Sequence, residues 1–76
     1  MSRSLLIVGA GGHGRVVADA ARLTGQWKKI AFIDDLYPGL CHSASWPVIG
    51  VVADLDNLDG AWSEVVVAIG NNATRL

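Results

Sequence analysis

An apolar run, Leu5-Leu6-Ile7-Val8, breaks at Gly9-Ala10-Gly11-Gly12-His13-Gly14 and passes at once into a helical pattern. No other stretch of the chain restricts its fold as much. Continuous aliphatic residues suit a parallel strand buried on both faces, and the glycines that follow suit a turn where a Cβ would block a ligand or strain the backbone. Donors at the start of the next helix have no partner within it and carry partial positive charge, so an anion bound there is stabilised. The run therefore predicts a nucleotide or nucleotide-sugar site at the top of the first strand. Its spacing, Gly9-x-Gly11-x-x-Gly14, fits the dinucleotide fingerprint, which alone is a weak signal.

A second apolar run, Ile30-Ala31-Phe32-Ile33, ends in Asp34-Asp35. That is about 20 residues beyond Gly14, where such folds set a carboxylate against ribose hydroxyls. The competing readings are a strand-to-helix turn that binds nothing and a pair of acidic turn residues exposed to water. The combination is more specific than either half.

A chain of 76 residues forms one small domain, 1–76, and one this size buries only about 60% of its unfolded surface. With 51% apolar residues and three tryptophans it carries more greasy surface than it can readily hide, which predicts contact with another domain. A net charge of −1 leaves no basic stripe for nucleic acid and no polybasic membrane anchor. The single Cys41 forms no disulfide within the chain and has only His42 beside it, so no zinc set is expected and a cytoplasmic location fits. Because the first apolar run stops at Gly9, neither a signal peptide nor a membrane span is expected.

The expected fold class is α/β, a small Rossmann-like parallel sheet flanked by helices. The first helix runs from Gly12 or His13 to Thr24 with Val16, Val17, Ala20, Ala21 and Leu23 facing the sheet, and Gly25 ends it in a left-handed conformation. Lys29 to Ile33 is the second strand. Pro38-Gly39 is a turn, 41–46 is a loop over the ligand site, and Pro47 to Gly50 is a short strand. Ala53 to Leu58 is a brief helix, Asp59-Gly60 a turn, and Glu64 to Ile69 a strand ended by Gly70-Asn71-Asn72. Alternating strands and helices imply parallel crossovers, so Gly11 to Gly14, Asp34-Asp35 and Gly70-Asn71 converge at one end of the sheet.

Taken with Pro47-Val48-Ile49-Gly50 and Val67-Ala68-Ile69-Gly70-Asn71-Asn72 plus Arg75, these motifs resemble the N-terminal domain of bacterial sugar acetyltransferases of the sialic acid O-acetyltransferase and bacillosamine N-acetyltransferase family. The resemblance spans nearly the whole chain. It implies a domain that binds the nucleotide part of a UDP-sugar in glycan biosynthesis. It also implies a C-terminal left-handed β-helix of hexapeptide repeats that binds acetyl-CoA, forms a homotrimer and supplies the catalytic histidine. No such repeat occurs before Leu76, so the resemblance implies a piece of a longer enzyme, inactive by itself, with no catalytic residue of its own.

On that basis Gly11, Gly12, His13 and Gly14 meet the diphosphate, Asp34 and Asp35 hold the ribose or uracil edge, and Gly70 with Asn71 faces the sugar. His13 enters as a hydrogen-bonding group rather than a cation, because the helix dipole opposes positive charge there, and it is not the general base; a helix-cap or solvent role is its alternative. Arg15 either neutralises a phosphate or is solvated. Trp27, Trp46 and Trp62 are assigned to packing, and Cys41-His42 is not taken as a nucleophile pair. Two other classes stay open: the first half of an NAD(P)-dependent oxidoreductase or epimerase, which lacks room for its second mononucleotide-binding half, and a small interaction module with structural glycines.

Overall fold

The computed structural model describes residues 3–43 and 45–68. Three strands, β1 (Ser4–Val8), β2 (Lys29–Ile33) and β5 (Glu64–Val67), form a parallel sheet in the order β2-β1-β5. Val8 is level with Ile33 on one side and Val67 on the other. All three carboxyl ends therefore open together. Helix α1 (Gly12–Thr24) links β1 to β2, a two-stranded hairpin of β3 (His42–Ser43) and β4 (Trp46–Pro47) follows, and the short helix α2 (Leu55–Leu58) lies between two 3-10 turns before β5.

Leu5, Leu6, Ile7 and Val8 are all at most 2% exposed, and alternate residues point into different layers. Leu5 and Ile7 pack with Ile30, Phe32, Ala18 and Ala21, whereas Leu6 and Val8 pack with Ala31 and Ile33 beneath Val52, Leu55, Leu58 and Trp62. A strand buried on both sides is what the unbroken aliphatic run requires. At the foot of the sheet Ser4 and Ser63 exchange bonds: each main-chain N–H donates to the other residue's hydroxyl at 3.0 Å.

The helix meets the sheet on a different stripe from the one its bulky residues mark. Gly14, Ala18 and Ala21 are buried and Val17 is half-buried against the core, while Val16 is 64% and Leu23 80% exposed. These contact positions recur at i, i+3, i+4 and i+7, and their small side chains let the helix axis approach the strands closely. Gly25 closes the helix at φ 71°, with its N–H donating to the Arg22 carbonyl at 3.1 Å.

The expected loop at 41–46 contains the β3–β4 hairpin, and Trp46 sets its ring edge-on to Phe32 at 6.3 Å. Beyond the hairpin, Val48 bridges Phe32 in parallel and the Ile49 N–H donates to the Phe32 carbonyl, so this segment flanks the outer side of β2. Among the described residues no helix is long and apolar enough to cross a membrane.

Candidate functional site

Beyond Val8 the chain turns through Gly9, whose φ of 105° is a conformation that side chains disfavour. The Gly9 N–H donates to the Ile33 carbonyl at 2.8 Å, which ties the turn to the end of β2. Gly11 is the N-cap of α1, with extended backbone and no side-chain hydrogen bond. The first hydrogen bond at the helix start runs from the Arg15 N–H to the Gly11 carbonyl, so the N–H groups of Gly12, His13 and Gly14 lack acceptors inside the helix. No acidic residue stands in the first turn to compete for them.

A pocket of about 350 Å³ opens at this point. Gly9, Gly11, Gly12 and His13 form one wall, Asp34 and Asp35 another, and Val52 and Ala68 complete it. Its volume is in the range of small-molecule sites.

The glycines divide by what surrounds them. A Cβ built on Gly11 or Gly12 meets nothing within 4 Å, and neither residue has a positive φ. Packing therefore does not require glycine at either position. At Gly14 the added atom would overlap the Gly9 carbonyl oxygen and sit 3.3 Å from the Phe32 ring. Gly14 is buried under the loop and is not part of the pocket lining.

The two aspartates also differ. Asp34 accepts the Ala10 N–H at 2.8 Å and the Leu36 N–H at 2.9 Å, one on each oxygen, so its carboxylate braces two turns. Asp35 is exposed and accepts the Val52 N–H at 3.0 Å on one oxygen. The carbonyl of Ala10 accepts the Ser43 hydroxyl at 3.0 Å, and Ser43 is only 5% exposed.

Of the residues singled out from sequence, Gly11, Gly12, His13, Asp34 and Asp35 share the pocket, Arg15 is exposed outside its lining, and Gly70 and Asn71 lie outside the described residues. The tryptophans pack elsewhere: Trp27 lies under the Arg3 guanidinium at 4.5 Å and Trp62 under the Lys29 ammonium at 4.8 Å, both near the foot of the sheet. Cys41 and His42 stand 3.5 Å apart, both exposed and away from the pocket lining. Sequence reasoning missed Val52, Ala68 and Ser43. Val52 and Ala68 have only their places beyond Gly50 and at the end of β5 as a signal, and Ser43 has none in its neighbours along the chain. Among the described residues no group of three or more metal-binding side chains gathers.

Residues 4–76 match the family described as the PglD N-terminal domain. The chain belongs to that family. Its fold is matched by solved structures of the acetyltransferase domain of PglB from Neisseria gonorrhoeae FA1090. The complex of that protein with acetyl coenzyme A superposes with a TM-score of 0.80 at 39% identity, over 95% of this chain and 34% of the other. A second structure of the same domain gives 0.79 at 39% identity, over 93% and 34%. This PglD-type chain thus spans about a third of the length of those structures. No curated protein matches it.

Proposed function

We propose that this chain is the nucleotide-sugar-binding region of an acetyl-CoA-dependent sugar acetyltransferase. The observation that carries the reading is the pair Gly11 and Gly12. Their missing side chains answer no need of packing or backbone conformation, and they leave space at a helix N-terminus beside two carboxylates. A diphosphate fits that space, accepting main-chain N–H groups of the first turn and lying at the positive end of the helix dipole. Asp35, with an oxygen beyond its bond to Val52, takes the ribose hydroxyls or the uracil edge, and Asp34 adds its remaining lone pairs there. Gly70 and Asn71 keep their assignment to the sugar.

Membership in the PglD family and likeness to an acetyltransferase solved with acetyl coenzyme A support the rest of the reading. A C-terminal β-helix domain binds acetyl-CoA, supplies the catalytic base and joins three copies in the cytoplasm. The present chain, as domain 1–76, binds the acceptor nucleotide-sugar and transfers no acetyl group alone.

Titration with UDP and a UDP-amino-sugar, followed by amide NMR, tests the assignment. UDP should shift Gly11, Gly12, His13 and the 34–35 turn, the UDP-amino-sugar should add Gly70 and Asn71, and NADH should shift none of them. Shifts from NADH but not from UDP would move the chain to the oxidoreductases. No shift from either at millimolar concentration would overturn the nucleotide reading and favour a small interaction module.

A further inference from the structure

Ala10 is 4% exposed, and both of its polar main-chain groups are held by side chains far along the sequence. Its N–H donates to Asp34, 24 residues on, and its carbonyl accepts from Ser43, 33 residues on. A peptide group is planar and trans, so its C=O and N–H point in opposite directions. The carbonyl of Ala10 and the N–H of Gly11 belong to one such plane. Drawing that carbonyl toward β3 turns the Gly11 N–H the other way, on the loop that walls the pocket. In the same manner the bond from the Ala10 N–H to Asp34 directs the Gly9 carbonyl toward Gly14.

We propose that Ser43, acting with Asp34, is a positioning residue: the two side chains fix the peptide planes on either side of Ala10 and so set the direction of the Gly11 N–H and the entry of the loop into the first turn of α1. The inference rests on the reading of this pocket as a diphosphate site. Glycine on both sides of Ala10 makes the clamp necessary, because a segment flanked by glycines has little local preference for one orientation of its peptide planes. Ser43 gives the cleaner test of the two. Its side chain is outside the pocket lining and reaches the ligand only through Ala10, whereas Asp34 is part of the wall.

The experiment compares Ser43→Ala, Ser43→Cys and Ala21→Gly with the parent on the full chain. Ala21 lies in the helix core away from the loop, so its replacement lowers stability without touching the clamp. Without ligand, amide order parameters of Gly11, Gly12 and His13 should fall from the rigid range, about 0.85, toward the flexible range, below about 0.6, in Ser43→Ala, and stay high in Ala21→Gly. With UDP as the probe, Ser43→Ala should bind about fivefold to tenfold more weakly, because only the fraction of molecules with the loop correctly turned is competent. Ser43→Cys keeps a weak donor and should fall between the two, and it carries the test if the alanine variant fails to fold.

Unchanged order parameters in Ser43→Ala, or UDP affinity within about twofold of the parent, would overturn the positioning role. Equal losses in Ala21→Gly would reduce the effect to general destabilisation. If the parent itself does not bind UDP, the diphosphate reading fails, while the ligand-free order parameters still decide whether Ser43 orients the loop.

Discussion

Replacing Gly12 and Gly14 in turn by alanine separates a glycine kept for a ligand from one kept for the fold. At Gly12, the first residue of α1, an added Cβ has no neighbour within 4 Å and the backbone is already helical. Alanine there removes conformational freedom from the unfolded chain and should stabilise by about 0.4–1 kcal/mol. For a domain of this size that raises Tm by about 2–8 °C. At Gly14 the same atom overlaps the Gly9 carbonyl oxygen, 3.1 Å from its carbon and 3.3 Å from Phe32 Cε1. Neither obstacle can swing aside, since one is backbone and the other a fully buried ring. Overpacking against two rigid obstacles costs about 2–3 kcal/mol, and set against a helix gain of about 1 kcal/mol it leaves a net loss of about 1–2 kcal/mol, which lowers Tm by about 4 °C or more. Binding should follow a different order from stability. Gly12 lines the pocket, so a methyl there should crowd a bound ligand, and losing one hydrogen bond to a charged phosphate weakens UDP by about tenfold or more. Thermal unfolding by circular dichroism and titration calorimetry with UDP measure the two effects. A Gly14→Ala protein as stable as the parent would refute the packing argument, and undiminished UDP binding by Gly12→Ala would refute the reason given for glycine at that position.

Three further outcomes are expected. Asp35→Ala should weaken UDP by about tenfold, through loss of a charged acceptor, yet leave a cooperative thermal transition, because its bond to Val52 is exposed; undiminished affinity by calorimetry would remove Asp35 from the ribose or uracil contact. Phe32→Ala should cost about 3–5 kcal/mol in urea unfolding, since the ring is fully buried and braces Trp46, while Phe32→Leu should cost under about 1.5 kcal/mol. Glu64→Gln removes an ion pair to Arg3 whose side chains are 47% and 52% exposed, so the urea midpoint should move by less than the equivalent of about 1 kcal/mol and become insensitive to salt there.

The parts of the fold that sequence made legible are those set by local chemistry. The aliphatic runs at Leu5 and Ile30 mark β1 and β2, and Gly25 marks the end of α1, because burial on both faces and a left-handed cap each demand particular residue types. The face of α1 was harder to read. Val16 and Leu23 suggest one stripe and Gly14, Ala18 and Ala21 another, and the choice between them depends on how near the sheet stands, a tertiary distance. The same limit applies at the site. Glycine spacing and Asp34-Asp35 locate the pocket walls, but the work of Asp34 on the Ala10 N–H and of Ser43 on the Ala10 carbonyl spans 24 and 33 residues. Serine in a short segment without periodicity carries no sign of such a bond.

The reciprocal serines at the foot of the sheet have a consequence for its top. A strand with one oily side and one wet side knows which way to face; β1, alike on both sides, does not, and sliding it by one residue would merely trade Leu6 for Ile7 between layers. Ser4 and Ser63 break that tie, since their doubled bond closes at a single alignment of β1 with the chain entering β5. The walls of the pocket, several residues downstream, stand at matching heights in part because of two hydroxyls at the opposite end of the sheet.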